Sequence, residues 1–537
     1  MVGSYIEHRE EVKMIRTITI VLRSENAEYH CLLCCNGQNM SVPATYDIQS
    51  DHFGFEYGTA DITCQERFFY SAAKKCTNST QFRLLLNFLL IFHRAVISKL
   101  FIFPRILLFP LILIVPIFLT GVIIFKNYKP IVTYPDWRWR LMACNVPVQN
   151  DPIIKVNNLK TYMVGSYIEH RQEVKMIRTI AIVLRNENTE YHCLLCCNGK
   201  HVSVSANYSI HSDHFGFEYG TADITCQVPE TCTTPTHVAI TSQSPKKDGS
   251  SQDTHAFQPV RNQQKQEVFP YEFTVCISTM FDYANVLELV QAMEMFKILG
   301  VQKVAIYKTS CHPFTQKVLD YYIRQNFVEI IPWQVASYIN VSRGWNKTLS
   351  SGELHYFGQI AALNDCVYRY MYQSHYVALQ DLDEFILPIN LTTWSELLPE
   401  LERKYNQEVG FEFEAYYFPL SIADLKPEYS PDSWKTVMGV NVLEHVYRLS
   451  NDPKEFNSFK VIVNPRLVFC TTVHGFLQSV NDSVRVDHEI AHIYHIRNVS
   501  SENLLTYSIM RDTRLRDYAD RLIPAVSEVL QQALDVH

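Results

Sequence analysis

Residues 376–388 read YVALQDLDEFILP, an apolar run that leads into three carboxylates and then returns to apolar residues. The β-branched and aromatic residues on either side predict a buried strand. Extended geometry would place Asp381 and Asp383 on one face at the end of that strand and Glu384 on the opposite face. Bare carboxylates in such a place are costly unless they are paired or bound to a metal.

Two aspartate oxygens suit a hard divalent ion such as Mn²⁺ or Mg²⁺, and such an ion suits a diphosphate. Asp381 and Asp383 therefore predict a metal–diphosphate site. Two other interpretations of the segment stay open, a structural network of ion pairs and a solvated turn. The short pattern alone decides nothing, because about one Asp-x-Asp is expected by chance in a chain of this length.

The sequence around this segment alternates between strand and helix patterns. The predicted strands are 273–280, 301–308, 327–333 and 376–385, and the predicted helices are 285–300, 314–326 and 358–373. Continuous apolar strands separated by helices predict a mostly parallel, Rossmann-like sheet covered on both faces, in an α/β domain over residues 268–537. Ligands of such sheets bind beyond the carboxyl ends of the strands, where Asp381 and Asp383 lie. No G-x-G-x-x-G follows the first strand, which disfavours a dinucleotide cofactor.

Composition and charge limit the kinds of partner that this chain can bind. Its 537 residues carry a formal charge of -7 and no basic block, which argues against a nucleic-acid partner. Residues 106–125, ILLFPLILIVPIFLTGVIIF, contain no charge over twenty positions. This length matches a bilayer, so we expect one transmembrane helix over residues 103–125, with a buried core helix as the alternative.

The orientation of this span follows from what lies beyond it. Positive charge flanks both ends, so the positive-inside rule does not decide. Six glycosylation acceptor patterns and ten cysteines follow the span, which favours an oxidising compartment for the C-terminal region. The acceptor patterns are at Asn207, Asn340, Asn346, Asn390, Asn481 and Asn498. We therefore expect a single-pass type II protein with a lumenal C-terminal region.

The N-terminal part of the chain contains a duplication. Residues 1–65 and 163–227 are the same segment at an offset of 162, with 11 differences over 65 positions. Each copy shows short strand patterns and predicts a small β-rich unit. We interpret residues 1–80 as a duplicated exon or a merged gene model, residues 128–240 as a lumenal β-rich stem, and residues 241–267 as a polar linker.

The second copy contains Cys193, Cys196 and Cys197 in a Cys-x-x-Cys-Cys string. A zinc site is one interpretation of this string. Disulfides or buried thiols are favoured, because four ligands at zinc-finger spacing are absent.

Five segments in this order carry a resemblance to a known family. They are FTVCISTMFDY (273–283), QIAALNDCVYRY (359–370), YVALQDLDEFILP (376–388), FKVIVNPRLVFCTTVHG (459–475) and AHIYHIRN (491–498). From about residue 128 onward the chain resembles glycosyltransferase family 92, single-span Golgi enzymes with a GT-A fold that transfer β-linked galactose from UDP-galactose. The resemblance implies a Golgi location, a UDP-sugar donor, a glycan acceptor on glycoprotein or glycolipid, and Mn²⁺ or Mg²⁺ held by Asp381 and Asp383.

Further residues receive candidate roles from this resemblance and from chemistry. His474 is the candidate third metal ligand, with a structural histidine as the alternative and His492 as a competing ligand. Gly475 would let a phosphate approach the backbone closely.

Two pairs of polar residues are candidates for donor binding. Thr279 and Asp282 lie at the end of the first strand and are candidates for uracil or ribose binding. The favoured alternative is that Asp282 or Asn285 caps the next helix. Asn364 and Arg369 are candidates for the donor sugar or phosphate. Arg369 is also four residues from Asp365, a spacing that allows a simple ion pair.

An inverting transfer needs a carboxylate base beside the acceptor hydroxyl. Glu412, Glu414, Glu444 and Asp487 are available, and Glu414 and Asp487 are the candidates. Glu414 is favoured because it precedes the aromatic residues 416–418, although core packing also explains such a cluster. Two other functions remain, a catalytically inactive lumenal glycan-binding or interaction protein on the same fold and a metal-dependent hydrolase.

Overall fold

The structure is a computed structural model. It describes residues 142–144, 146–148, 151–242, 255–406, 408–451 and 457–536, and from residues 1–141 it otherwise describes the backbone of five strands. The chain divides into two compact units, Met1–Thr133 and Tyr134–His537. The predicted transmembrane segment 103–125 lies outside the described residues. Within the described ranges, no helix combines the length and the apolar character that a membrane span requires.

The first unit contains one antiparallel sheet from the first copy of the duplicated segment. Its strands are β1 (Gly3–Arg9), β2 (Val12–Leu22), β3 (His30–Cys35), β4 (Gln38–Ile48) and β5 (Tyr57–Cys64). They are ordered β1-β2-β5-β4-β3. The strands predicted for the duplicated sequence are therefore present in the first copy.

The second unit begins with a β-rich region formed by the second copy and its flanks. Its strands are β6 (Met142–Ala143), β7 (Val146–Pro147), β8 (Ile154–Lys155), β9 (Thr161–Glu169), β10 (Met176–Leu184), β11 (His192–Cys197), β12 (Lys200–Ile210), β13 (Tyr219–Gln227), β14 (Pro235–Thr241) and β15 (Gln258–Arg261). Eight of them form a sheet ordered β10-β13-β12-β11-β14-β15-β9-β8, and β10 also pairs with β9. The sheet thereby closes on itself, which protects strand edges from outside pairing.

Local sequence explains the hairpin between β11 and β12. Asn198 and Gly199 have φ values of 51° and 76°, as a two-residue type I′ turn requires. The strand prediction for this copy is confirmed. The linker prediction for residues 241–267 is wrong at β15, because Gln258–Arg261 pairs with β14 and β9, partners that are remote in sequence.

Three disulfides link strand β11 to other parts of the β-rich region. The pairs are Cys144–Cys196, Cys193–Cys226 and Cys197–Cys232, and the Cys-x-x-Cys-Cys string thus forms disulfides as predicted. A fourth disulfide, Cys276–Cys366, lies in the α/β region. Among the described cysteines, Cys311 and Cys470 are free.

The α/β region carries the remaining strands and all the described α-helices. The strands are β16 (Tyr271–Met280), β17 (Lys303–Lys308), β18 (Val328–Pro332), β19 (Ser374–Leu379), β20 (Glu384–Pro388), β21 (Gly410–Pro419), β22 (Tyr447–Leu449), β23 (Phe459–Val463), β24 (Val468–Thr472), β25 (Gly475–Ser479), β26 (Val484–Arg485), β27 (Ala491–Arg497) and β28 (Ile509–Arg511). The helices are α1 (Val286–Leu299), α2 (Pro313–Arg324), α3 (Gln359–Tyr370), α4 (Trp394–Tyr405), α5 (Ser501–Thr506) and α6 (Ala519–Leu534).

The central sheet is ordered β18-β17-β16-β19-β23-β21-β27-β20, with β26 beside β21. Strands β16 to β19 are parallel to one another, and β23 joins antiparallel to β19. The predicted alternation of strands and helices up to β19 is confirmed, and the region is mixed α/β. The mixed half of the sheet lies in the C-terminal part of the chain.

The predicted continuous strand over 376–385 is wrong. Strand β19 ends at Leu379, Leu382 and Asp383 form a turn, and β20 begins at Glu384. The two strands have different partners, because β19 pairs with β16 and β23 whereas β20 pairs with β27. The three carboxylates therefore lie at a change of partner within the sheet.

The β-rich region and the α/β region share a hydrophobic core. Ile180 and Ile182 from β10 pack in the same buried cluster as residues of α3. A polar contact lies beside it, in which Tyr167 Oη donates to Asp365 Oδ1 at 2.6 Å. The predicted segments 128–240 and 268–537 thus pack against each other within one compact unit.

Candidate active site

The centre of the candidate site is the acid cluster, which we define as Asp381, Asp383 and Glu384. Lys460 Nζ lies 2.8 Å from Asp381 Oδ2 and 3.4 Å from Glu384 Oε2. The Asp381 backbone N–H also donates to Glu384 Oε2 at 3.0 Å. The prediction that Glu384 points away from Asp381 is wrong, because the turn at Leu382 interrupts the alternation of side chains.

His495 from β27 lies between the other two carboxylates. Its Nε2 is 3.4 Å from Asp383 Oδ2, and its Nδ1 is 3.3 Å from Glu384 Oε1. Burial lowers the pKa of His495, but Glu384 and Asp383 outweigh burial and raise it overall. For Asp383 the two effects have the opposite signs. Burial raises the pKa of this carboxyl group, but the interactions with its neighbours, His495 foremost, together outweigh burial and lower the pKa overall. The imidazole thus favours the charged form of Asp383.

Lys460 reaches the cluster from β23, the antiparallel neighbour of β19. Leu379 pairs with Val461, so Lys460 lies level with the chain just beyond the end of β19. Burial lowers the pKa of Lys460, and Asp381 and Glu384 outweigh burial and raise it. The side chain is 5% exposed, so this cation is almost fully enclosed by the protein.

His474 and Gly475 lie at the turn between β24 and β25. His474 Nδ1 is 3.0 Å from the Phe459 carbonyl oxygen, which ties this turn to the start of β23. Loss of hydration and the charge of Lys460 lower the pKa of His474, while Asp381 acts in the opposite direction. Gly475 has a φ of 153°, which favours glycine, and it lies beside the Glu412 carboxylate.

Tyr356 comes to the acid cluster from a strained loop before α3. Tyr356, Phe357 and Gly358 have φ values of 32°, 53° and 73°, three left-handed residues in succession. Burial, and then the charges of Asp381 and Asp383, raise the pKa of Tyr356 to about 12. Backbone strain of this kind concentrates at functional sites, because only strong surrounding contacts maintain it.

A narrow cleft lies beside Asp381 and Lys460. Its polar lining includes Ser278 from β16 and Gln359 from α3, and Gln359 Nε2 donates to Ser278 Oγ at 2.9 Å. The cleft has essentially no room for a sphere the size of water, so a substrate as large as a nucleotide sugar would have to widen it.

Glu288 is a buried carboxyl group behind the acid cluster. It lies in the first turn of α1, and Tyr283 Oη donates to its Oε2 at 2.8 Å. Burial, and then the charge of Asp383, raise the pKa of Glu288 to about 8. Glu288 therefore holds its proton through most of the neutral pH range.

Thr279 and Asp282 lie at the carboxyl end of β16, the parallel neighbour of β19. Asp282 accepts hydrogen bonds from Ser310 Oγ at 2.7 Å and from Arg343 Nη2 at 2.7 Å. Of the two alternative helix caps, Asn285 and not Asp282 holds the N-cap position of α1, and its side chain makes no capping hydrogen bond there. The Asp282 side chain is 53% exposed, so it is open to a ligand at this edge of the sheet.

Asn364 and Arg369 are occupied by other protein groups. The Asn364 amide donates to the carbonyl oxygens of Ile360 and Thr471 and accepts from the Thr471 N–H at 2.9 Å. Arg369 Nη2 donates to Asp365 Oδ2 at 2.8 Å, which confirms the alternative of an ion pair four residues apart. Both side chains are buried. Asn364 therefore holds β24, the strand that leads to His474. Arg369 holds Asp365, which contacts Tyr167 of β9.

The candidate bases lie apart from Lys460. Glu414 pairs in register with Phe459, whereas Lys460 pairs with Phe413, so Glu414 and Lys460 leave opposite faces of the sheet. Glu414 Oε1 accepts from Asn451 Nδ2 at 3.0 Å and from Asn457 Nδ2 at 2.7 Å.

Asp487 and His492 complete the list of predicted residues. Asp487 is exposed, and its Oδ1 accepts from the Glu489 N–H at 3.0 Å. His492 Nε2 lies 3.4 Å from Asp512 Oδ2. Three residues further along β27, His495 occupies the place beside Asp383.

The donor set of the acid cluster fits a divalent ion. Asp381 and Asp383 offer the oxygen ligands that Mn²⁺ and Mg²⁺ prefer, and among the described residues Lys460 is the one side chain that donates to Asp381. Asp381, Asp383 and His474 do not converge in this structure. Within the described ranges, the one group of three His, Cys, Asp or Glu ligand atoms that all lie within 4.8 Å of one another is His211, Asp223 and Cys470. His474 would have to move toward the aspartates to complete the predicted set.

The mixed α/β fold places the acid cluster beyond the end of β19, and the class of protein follows from the sequence of this region. Residues 271–528 match the sequence model of Glycosyltransferase family 92. This match covers the α/β region of the chain and identifies a Glycosyltransferase family 92 domain at residues 271–528.

Two curated relatives come from Caenorhabditis elegans. The protein named Glycosyltransferase family 92 protein F13G3.3 is 28% identical over 120 residues, which cover 22% of this chain and 23% of that protein. Beta-1,4-galactosyltransferase galt-1 is 21% identical over 237 residues, which cover 43% of this chain and 49% of that protein. The chain thus matches about a quarter and about half of the length of these relatives.

A solved structure is also similar. It is glucosyl-3-phosphoglycerate synthase from Mycobacterium tuberculosis, in complex with Mn²⁺, UDP and glucosyl-3-phosphoglycerate. The match has 8% sequence identity and a TM-score of 0.19, and it covers 50% of this chain and 81% of that chain.

Proposed function

We propose that the protein is a UDP-sugar-dependent glycosyltransferase that transfers galactose from UDP-galactose to a glycan hydroxyl with inversion, assisted by Mn²⁺ or Mg²⁺. The observation that carries the proposal is the acid cluster at the carboxyl end of β19, inside a family 92 domain. Ligands of α/β sheets bind at that edge, and paired aspartates there suit a metal and a diphosphate. A galactosyltransferase among the relatives supports the choice of donor.

In the proposed reaction, the acceptor oxygen bonds to the anomeric carbon while the bond from that carbon to the UDP oxygen breaks. A bound Mn²⁺ would stabilise the charge that develops on the leaving diphosphate. Asp381 and Asp383 would hold the donor end of the site. His495 orients Asp383, and Lys460 orients Asp381 and adds positive charge near the diphosphate.

The proton of the acceptor hydroxyl must go to a carboxylate. Glu414 and Asp487 remain the proposed bases. The two asparagine amides on Glu414 fix its orientation, whereas Asp487 is exposed to an arriving acceptor. Glu414→Gln and Asp487→Asn would separate them, because the loss of a base lowers turnover at saturating donor by about 10²-fold or more.

We propose a lumenal Golgi location with a type II membrane anchor at residues 103–125. Four disulfides in the described region support an oxidising compartment. Five of the six glycosylation acceptor asparagines are exposed, as modification there requires. Loss of mass after treatment of the cell-derived protein with an endoglycosidase would support this location, and an unmodified chain with reduced cysteines would contradict it.

The purified full chain, offered UDP-galactose and other UDP-sugars with and without Mn²⁺, tests the activity. We expect UDP release that requires a glycan acceptor and a divalent ion, and its loss in Asp381→Asn. Asp432→Asn is a control, since Asp432 pairs with Lys435 on the surface. Glycan binding without donor consumption would favour the inactive glycan-binding protein. Glycoside hydrolysis without a nucleotide would favour the hydrolase.

A further inference from the structure

Three potential metal ligands meet where the β-rich region contacts the α/β region. His211 follows β12, Asp223 lies in β13, and Cys470 lies in β24. One ligand atom of each side chain lies within 4.8 Å of the other two. All three residues are at most 7% exposed, so they form an enclosed group away from the acid cluster.

The surroundings of His211 point to a missing ligand. Neither ring nitrogen forms a hydrogen bond of ordinary geometry with the described residues, although the side chain is only 3% exposed. Its Nε2 lies 3.4 Å from Asp223 Oδ2. The imidazole thus contacts Asp223 and Cys470 without good hydrogen-bond geometry, and coordination of a metal by a ring nitrogen would replace these poor contacts.

Asp223 and Cys470 supply the other donors. Arg178 Nη1 donates to the Asp223 carboxylate and would fix its orientation, as outer groups commonly do for metal-bound carboxylates. Cys470 is a free, buried thiol in a chain whose other described cysteines, apart from Cys311, are in disulfides. A thiolate, an imidazole and a carboxylate together suit zinc better than the hard ions that suit paired aspartates.

We propose that His211, Asp223 and Cys470 bind a zinc ion, independently of the proposed transfer reaction. Ligand atoms around tetrahedral zinc are about 3.3–3.8 Å apart, so separations of up to 4.8 Å need only a small inward movement. A water molecule would take the fourth position. Binding would release the thiol proton of Cys470, and any proton on His211, to solvent.

The site would tie the β-rich region to the strand that leads to His474. Cys470 lies in β24, which ends two residues before His474, and the neighbouring Thr471 backbone is held by Asn364. The first copy of the duplicated segment has Gln49 where the second copy has His211. Only the second copy therefore carries the full pair of zinc ligands from this segment.

The test is the zinc content of the purified full chain after extensive dialysis, measured by elemental analysis. We expect about one equivalent in the wild type and in Cys311→Ser, which removes the second of the two thiols that are free among the described cysteines, and none in Cys470→Ser or His211→Gln. His211→Gln introduces the residue that the first copy carries. Asp381→Asn should retain zinc, which separates this site from the acid cluster.

A second measurement does not depend on the folding of any variant. Co²⁺ added to the wild-type chain after zinc removal should give the near-ultraviolet absorption of a cobalt–thiolate bond. Zinc that persists in Cys470→Ser would overturn the proposal. A wild-type chain without zinc and without the cobalt–thiolate band would also overturn it, and the three residues would then be a metal-free ion pair beside a thiol.

Discussion

Lys460 Nζ lies 2.8 Å from Asp381 Oδ2, so the first carboxylate of the acid cluster is paired with a cation from the neighbouring strand. The same ammonium is 3.4 Å from Glu384, which has a side-chain exposure of 2%. With His495, three carboxylates and two basic side chains thus meet at one site, in which Lys460 and Glu384 are buried and Asp381 and Asp383 are about one-third exposed. The carboxylates outnumber the basic side chains, so a divalent ion can compete with Lys460 for the oxygens of Asp381.

Lys460→Met should lower the free energy of unfolding by about 3–5 kcal/mol, because it leaves Glu384 buried without its ammonium partner. Lys460→Arg should lose less, since the charge remains. Chemical denaturation measures both. Lys435→Met is the surface control, and we expect no measurable change there because its partner Asp432 is exposed. Equal stability of Lys460→Met and wild type would show that the carboxylates take up protons instead.

Asp383→Asn should lower turnover by about 10²-fold or more while the chain stays folded, because an amide is a poorer ligand for a divalent ion than a carboxylate. Steady-state UDP release at several Mn²⁺ concentrations measures this effect. Asp517→Asn is the control, since Asp517 pairs with Arg514 on the surface. Full activity of Asp383→Asn would remove Asp383 from the site.

The raised pKa of Glu288 predicts a pH dependence of stability. Its ordinary value is 4.5, and in the fold it is about 8. Between these values the folded chain binds more protons than the unfolded chain, so this group lowers stability as pH rises from about 4.5 to about 8. Glu288→Gln should remove that loss.

Denaturation midpoints of wild type and Glu288→Gln, recorded at pH 5 and pH 8.5 in the presence of a chelator, test this expectation. The variant should gain stability relative to wild type at the higher pH. Glu502→Gln is the control, since Glu502 lies in an exposed helical turn. A difference between wild type and Glu288→Gln that is the same at both pH values would contradict the raised pKa.

Asn364→Ala should destabilise the protein by about 2–4 kcal/mol, because it leaves the buried N–H and carbonyl groups of Thr471 without partners. Thermal unfolding measures the loss. Gln532→Ala is the matched control, since that amide donates to Glu528 at the surface. An unchanged transition in Asn364→Ala would mean that water replaces the amide.

The sequence predicted the strands and helices up to β19 because apolar runs and helical periodicity are local signals. The same reasoning failed at Leu382, where the chain changes from one set of strand partners to another. The partners of β20 lie about a hundred residues further along, so no local pattern marks the turn. Glu384 was misplaced for that reason.

Three residues of the site were not predicted from the sequence, again because no local pattern marks them. Lys460 and His495 come from strands that follow the acid cluster at long distance, and each is an ordinary residue in an alternating strand. Tyr356 lies in a loop whose left-handed backbone has no sequence signal beyond the following glycine. By contrast, Asp381 and Asp383 were candidates from the sequence alone, because two aspartates in an apolar segment conflict with burial.

The contact between β9 and α3 also bears on the duplicated segment. In the second copy, Tyr167 and Arg171 donate to Asp365 and Tyr368 of α3. The first copy carries the same two residue types, as Tyr5 and Arg9, but the chain contains one α3. Two copies of a segment thus encode the same binding residues for one surface, and the second copy occupies it. The sequence repeat therefore recurs as the same order of five strands, whereas the contact with α3 is described for the second copy.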